Sequence, residues 1–178
     1  MRLRTTLRST FSLLLVFFAV NLATAQKITT DYDHSANFSN YHTYAWTDGT
    51  RVKDDLMDQR IRDNVDQQLA AKGLQKVSDP EKADVLVAYD AAVGQQAQLN
   101  TMGMGGWGYG WGPMGGMTTT TVDYIPVGAL NVKLGDNKTH RIVWRGTASG
   151  TIKDKPEKIA EQIQKSVAKM FKKYPPKS

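Results

Sequence analysis

The sequence predicts an α+β fold, in which a mostly antiparallel sheet carries two amphipathic helices on one of its faces. Short runs of β-branched and aromatic residues alternate in period two, and most of them are joined by hairpin-type turn sequences. Two other stretches repeat apolar residues at helical spacing. The predicted order is two strands, a helix, a short and a long strand, a glycine-rich hairpin tip, three strands and a second helix.

The chain begins with a segment that has the three parts of a secretory signal peptide. Three arginines give it a basic start, residues 11–22 are almost wholly apolar, and Ala23-Thr24-Ala25 supplies small residues for cleavage. The apolar part is too short for a bilayer core, which needs ~20 residues. We therefore expect residues 1–25 to be removed on export and residues 26–178 to form a single domain.

Loss of that segment changes the charge of the protein. The chain has 23 Lys and Arg against 17 Asp and Glu, a net charge of +6. Three of the basic residues and none of the acidic ones lie in residues 1–25, so the remainder carries +3, too little to indicate nucleic-acid binding. The chain has no cysteine, which excludes disulfides and thiolate metal ligands. Because Gln26 rather than a cysteine follows the signal, we expect no lipid anchor.

The first half of the domain contains two predicted strands and a helix. Residues 28–33 and 42–46 are aromatic and β-branched runs separated by turn residues. Asp54 or Asp55 caps a helix that ends near Lys72, and Gly73 suits the left-handed position after it. The apolar residues of this helix recur every four positions: Met57, Ile61, Val65 and Leu69. A short strand over residues 74–77 is predicted to follow.

The second half starts with a strong strand pattern over residues 83–93. Its odd-numbered residues from Val85 to Val93 are apolar or aromatic and share one face. A β-branched run over residues 118–124 lies beyond the glycine-rich tract, which predicts a long hairpin with that tract as its tip. Two more strands, 127–134 and 139–152, are expected to be joined by a turn at residues 135–138.

The last strand and the second helix complete the predicted core. Four residues of strand 139–152 are expected on one buried face: Ile142, Trp144, Ala148 and Ile152. Pro156 suits the first position of a helix. The apolar stripe of this helix comprises Ile159, Ile163, Val167, Met170, Phe171 and Tyr174.

The glycine-rich tract, residues 102–117, is the most unusual feature and the candidate contact surface. It carries seven large side chains that glycine cannot pack into a core: Met102, Met104, Trp107, Tyr109, Trp111, Met114 and Met117. In an extended chain the three aromatic residues would point the same way and could stack on sugar rings, enter a lipid interface or add to a partner's sheet edge. A flexible, tolerated loop is the alternative. Thioethers without histidine are weak evidence for Cu(I), so no metal or cofactor is predicted.

Two other groups of polar residues are candidate sites. Asp31 and Asp33 have strand spacing, so they would share a face and could bind a cation or act as an acid–base pair. A solvated pair at the end of a strand is the more ordinary interpretation. The three histidines, His34, His42 and His140, have no metal-ligand spacing, and no serine lies in a nucleophile motif.

Several blocks of the sequence resemble the DUF4136 family of exported bacterial proteins. They include Asp31-Tyr32-Asp33, residues 36–46 (ANFSNYHTYAW), residues 83–87 (ADVLV), residues 128–132 (GALNV) and residues 143–148 (VWRGTA). The resemblance covers essentially the whole chain after the signal. It implies a periplasmic protein of the Gram-negative cell envelope, a class with many lipoproteins, and it implies no assigned reaction.

The sequence therefore favours a non-enzymatic envelope protein that binds a protein, glycan or membrane surface through the glycine-rich tip. The alternative is a hydrolase-like envelope enzyme that uses the Asp31 and Asp33 carboxylates, together with Arg145. A structural envelope component with no discrete ligand is a third hypothesis.

Overall fold

The computed structural model of the protein describes residues 26–103 and 118–176. The predicted signal peptide and most of the glycine-rich tract lie outside these residues. The helices are α1 (Asp55–Ala71) and α2 (Pro156–Phe171). The strands are β1 (Lys27–Tyr32), β2 (Thr43–Trp46), β3 (Gln75–Lys76), β4 (Val85–Gly103), β5 (Thr118–Asp136) and β6 (Ile142–Thr151). No helix among the described residues is long and apolar enough to cross a membrane.

The six strands form one mixed sheet in the order β1-β6-β5-β4-β2-β3. The pairs β1–β6, β6–β5 and β5–β4 are antiparallel, whereas β2 runs parallel to both β4 and β3. The parallel pairs arise because α1 and a short helical turn separate those strands along the chain. The predicted α+β fold with a largely antiparallel sheet is confirmed.

Helix α1 forms where its sequence pattern predicts it. The side chain of Asp54 accepts a hydrogen bond from the Met57 amide, which satisfies one of the free N–H groups at the start of the helix. Ile61, Val65 and Leu69 are buried against the sheet. Gly73 ends the helix with φ = 88°, a conformation that costs other residues more.

Helix α2 packs beside α1 on the same face of the sheet. Pro156 occupies its first turn, and Val167, Met170 and Phe171 are buried. The sheet contributes alternate residues of its central strands to the same core: Val85, Val87, Tyr89, Val132, Leu134 and Trp144. A single layer of apolar side chains therefore joins both helices to one face of the sheet.

The β5 strand is longer than the sequence predicts. The predicted strands 118–124 and 127–134 are one continuous strand, β5. Pro126 fits inside it because its carbonyl faces the β6 side, where it accepts a hydrogen bond from the Ile152 amide. Its missing N–H therefore removes nothing from the β4–β5 ladder.

The predicted burial of Ile142 is wrong, since this side chain is 54% exposed. The β5–β6 register pairs Leu134 with Trp144 but Gly135 with Ile142, so Val143 is an extra residue in β6. Such a bulge reverses the alternation of faces, which turns Ile142 away from the helices while Trp144 points into the core.

Candidate functional site

The hairpin of β4 and β5 extends far beyond the core as a two-stranded arm, residues 92–103 and 118–126. On the β4 side, the last hydrogen bond from a neighbouring segment joins the Ala91 amide to the Thr50 carbonyl (2.9 Å). On the β5 side, the β6 ladder ends where Thr151 pairs with Val127. The described part of the arm reaches roughly 35 Å past these points at ~3.3 Å per residue.

One face of the arm is an exposed apolar stripe, which we define as Val93, Ala97, Leu99, Val122 and Tyr124. The register places Ala97 opposite Tyr124 and Leu99 opposite Val122, so these side chains point the same way. Val93, Leu99 and Tyr124 are 69%, 68% and 68% exposed. The stripe continues the alternation of Val85, Val87 and Tyr89, and therefore lies on the helix side of the sheet.

The opposite face of the arm is polar apart from Ala92 and Ile125. Its other described side chains are Gln96, Gln98, Asn100, Thr121 and Asp123. The Asn100 amide donates to the Asp123 carboxylate across the two strands (2.7 Å). The arm is therefore amphipathic: its back is mostly polar, and its front is mostly apolar, with Gln95 and Thr120 as the polar exceptions.

The stripe runs into an apolar cleft at the base of the arm, between the two helices and the sheet. The cleft has a volume of about 120 Å³ and includes Val93, so it is continuous with the stripe. Its apolar walls include Met57, Ile61, Leu130, Ile159 and Ile163. None of the described residues that line it has a titratable side chain. The combined surface suits binding of apolar groups and offers no group for acid–base chemistry.

The Asp31 and Asp33 carboxylates lie in a separate, shallow polar groove with Arg141 and Arg145. Arg145 contacts Asp31 at 3.0 Å, and Arg141 contacts Asp33 at 3.6 Å. Hydrogen bonds from the Ser35 hydroxyl and amide lower the pKa of Asp33 below its usual range. Each carboxylate thus has its own cation, and Asp33 is ionised at neutral pH and unsuited to act as a general acid.

Three further carboxylates that the sequence did not single out fix the surrounding loops. Asp84 accepts hydrogen bonds from the His42 and Thr43 amides and from the Thr43 hydroxyl, each 2.9 Å long. Asp136 accepts from Tyr41 Oη and from the turn that follows β5. Asp90 accepts a hydrogen bond from the Thr50 amide (3.0 Å) and contacts Lys133 on β5 at 2.6 Å. Within the described residues, no group of three His, Asp or Glu side chains is arranged to hold a metal ion.

Asp84→Asn is expected to destabilise the protein at about pH 7 and to have little effect at about pH 2. Hydrogen bonds from the His42 amide and from Thr43 hold the pKa of Asp84 below its usual value. A carboxyl group with a depressed folded-state pKa stabilises the protein above its unfolded pKa, and this contribution is lost as the pH falls through the folded pKa. Urea denaturation at both pH values measures the difference, with the exposed Asp63→Asn as control. An equal loss at both pH values would contradict the prediction.

The structure does not bring the histidines together. His34 lies in the turn after β1 with its ring centroid 4.3 Å from that of Tyr32, His42 precedes β2, and His140 is in the β5–β6 turn. Of the candidate contact residues, Met102 belongs to β4 opposite Thr119. The other six, Met104, Trp107, Tyr109, Trp111, Met114 and Met117, lie outside the described residues, and their role stays a prediction.

The sequence blocks and the fold are those of a known family. A family model, described as a domain of unknown function (DUF4136), matches residues 28–176. The chain belongs to the DUF4136 family. No curated protein matches it in sequence.

Solved structures share this DUF4136 fold at low sequence identity. A DUF4136 family protein from Bacteroides thetaiotaomicron is 17% identical with a TM-score of 0.54, covering 84% of this chain and 96% of that one. A PDZ domain protein from Parabacteroides distasonis is 16% identical with a TM-score of 0.56, over 87% of this chain; the match spans 38% of that longer protein. PelC from Paraburkholderia phytofirmans, a dodecamer, is 12% identical with a TM-score of 0.50, covering 82% of this chain and 94% of PelC. At these identities the likeness establishes the fold alone.

The structure explains one DUF4136 block, residues 143–148, as core packing. Trp144 is 1% exposed and packs against Phe171 with ring centroids 4.9 Å apart. Gly146 lies under it, and a Cβ there would come within 2.6 Å of the Trp144 ring. The block therefore fixes the contact between β6 and α2, and its exposed Arg145 contributes to the polar groove.

Proposed function

We propose that this DUF4136 protein is a non-enzymatic component of the periplasmic cell envelope that acts by binding, with the arm as its contact surface. The single observation that carries the proposal is the exposed apolar stripe, which runs from the arm into the apolar cleft. The signal-peptide pattern of residues 1–25 supports export.

The arm is costly unless something contacts it. An isolated two-stranded hairpin is at best marginally stable in water, because it has no layer to bury its apolar side chains. Burying the exposed surfaces of Leu99, Val122 and Tyr124 against a partner would be favourable by about 25 cal/mol per Å² of apolar area. Exposed apolar patches of this kind mark binding surfaces in soluble proteins. A protein, a glycan and a membrane surface are the partners to distinguish.

PelC shows that this fold is compatible with large assemblies, since it crystallises as a dodecamer. In the present chain, the polar groove gives no comparable support for an enzyme, because each of its carboxylates is paired with an arginine. The geometry therefore favours contact through the arm over chemistry in the groove.

Leu99→Lys and Tyr124→Lys, combined in one chain, are expected to reduce association with envelope components by about tenfold or more, since a buried charge without a partner is costly. The fold should be retained, because both side chains lie outside the core. Crosslinking in the native envelope followed by mass spectrometry measures the loss, and circular dichroism checks the fold.

Thr121→Lys is the control, because it places a lysine on the polar face of the arm instead of the apolar one. Replacing residues 104–117 by Asn-Gly, which closes a two-residue hairpin, tests the glycine-rich tip separately. Flotation of the purified protein with vesicles separates a lipid surface from a protein or glycan partner. If the double lysine variant gives the same crosslinks as the unchanged chain, the arm is not the contact surface.

A further inference from the structure

The outer edge of β4 is open along the arm. The Val87 carbonyl accepts from the Thr47 amide and the Ala91 amide donates to Thr50, so the odd-numbered residues of β4 direct their backbone groups away from β5. The β4–β5 register shows no shift from Val85 to Gly103, so this direction persists along the arm. Among the described residues, β2 is the only strand on that side, and it pairs only with residues 85–87.

The two edges of the arm differ in how they are protected. Natural edge strands use charges, proline or bulges to prevent unwanted pairing. The β5 edge carries Asp123 and Pro126, whereas residues 92–103 of β4 contain no charged residue, no proline and no bulge. The unprotected β4 edge is therefore the one suited to pairing with another strand.

The lack of charge on the β4 edge favours pairing with a second copy of the same strand. When a strand pairs with its own copy in antiparallel fashion, a charge near the centre of the pair comes to lie opposite or diagonal to the same charge, and like charges across a ladder are destabilising. The β4 edge is free of this penalty. Its polar side chains Gln96, Gln98 and Asn100 carry both donors and acceptors, so they can hydrogen-bond to one another across such a pair.

A lipid surface would bury the apolar stripe but would leave the backbone groups of the open β4 edge without hydrogen-bond partners. Backbone N–H and C=O groups that enter hydrocarbon without partners are strongly unfavourable, and the arm would carry them along its open edges. A second arm supplies partners for the β4 backbone and widens the apolar stripe on the same face.

We propose that the partner of the arm is a second copy of this chain, paired antiparallel along the β4 edge over residues 92–100. The proposal rests on the proposed function, because it takes the arm as the contact surface. The product is a four-stranded sheet with both stripes on one side.

The test is sedimentation velocity of the purified protein over a range of concentrations. Gln96→Lys with Gln98→Lys, and separately Gln96→Glu with Gln98→Glu, should each weaken self-association by about tenfold or more. Mixing the lysine and glutamate chains should restore association, because opposite charges then face each other. Thr121→Lys, on the β5 strand, should associate like the unchanged protein.

Three outcomes would overturn the proposal. These are an unchanged protein that stays monomeric, charge variants that associate normally, or a mixture that fails to restore association. Circular dichroism keeps the result interpretable, since Gln96 and Gln98 are exposed and the variants should fold. A monomeric protein that still gives stripe-dependent crosslinks to another envelope component would refute self-pairing and leave the proposed function intact.

Discussion

Gly146→Ala is expected to lower the free energy of unfolding by about 1–3 kcal/mol, the usual cost of overpacking a core. A Cβ at this position would lie 2.6 Å from Cη2 of Trp144 and 3.0 Å from Cβ of Met170. Neither neighbour can move aside easily, because Trp144 is 1% exposed and Met170 is fully buried. Urea denaturation with a common m-value measures the loss.

Gly135→Ala is the matched control for this prediction. It also lies in the sheet, but the nearest atom to its added Cβ is the Arg141 carbonyl oxygen at 3.6 Å, an ordinary contact. Gly146→Ala should cost less in a Trp144→Phe background than in the unchanged chain, since the smaller ring leaves room for the methyl group. If Gly146→Ala costs no more than Gly135→Ala, tight packing between β6 and α2 is not the reason for the glycine.

The helices could be predicted from sequence because their signals are local. The four-residue spacing from Met57 to Leu69, the Asp54 cap and Gly73 all lie within one element, and the structure confirms each. The bulge at Val143 could not be predicted, because it depends on how β6 pairs with β5. Its consequence, the exposure of Ile142, was therefore missed.

The candidate site was predicted only in part for a similar reason. Sequence alternation treats Val87 and Val93 alike, and the structure does place them on the same face. Val87 is fully buried in the core, whereas Val93 is 69% exposed and lies where the core cleft meets the arm. A long hairpin could thus be predicted, but the point where core becomes arm could not. The Asp31–Arg145 pair likewise depends on the β1–β6 register, which joins residues far apart in sequence.

Asp66 joins α1 to the parallel side of the sheet, and its replacement should have the other large effect. Its carboxylate accepts hydrogen bonds from Tyr44 Oη (2.9 Å), Trp46 Nε1 (2.8 Å) and Lys76 Nζ (2.7 Å). Tyr44 is 2% exposed, so loss of the acceptor leaves its hydroxyl with little access to water. Burial, together with the bond to Asp66, raises the pKa of Tyr44, which keeps the phenol protonated as a donor.

Asp66→Ala is therefore expected to lower the free energy of unfolding by about 3 kcal/mol, since each hydrogen bond to a charged group contributes roughly 1.5–3 kcal/mol and the lysine bond is more exposed. Asp63→Ala, an exposed carboxylate on the same helix, is the control and should change stability little. In the Asp66→Ala background, Tyr44→Phe should cost much less than it does in the unchanged chain, because the hydroxyl has already lost its partner. Equal costs of Tyr44→Phe in the two backgrounds would show that Asp66 does not stabilise the fold through this bond.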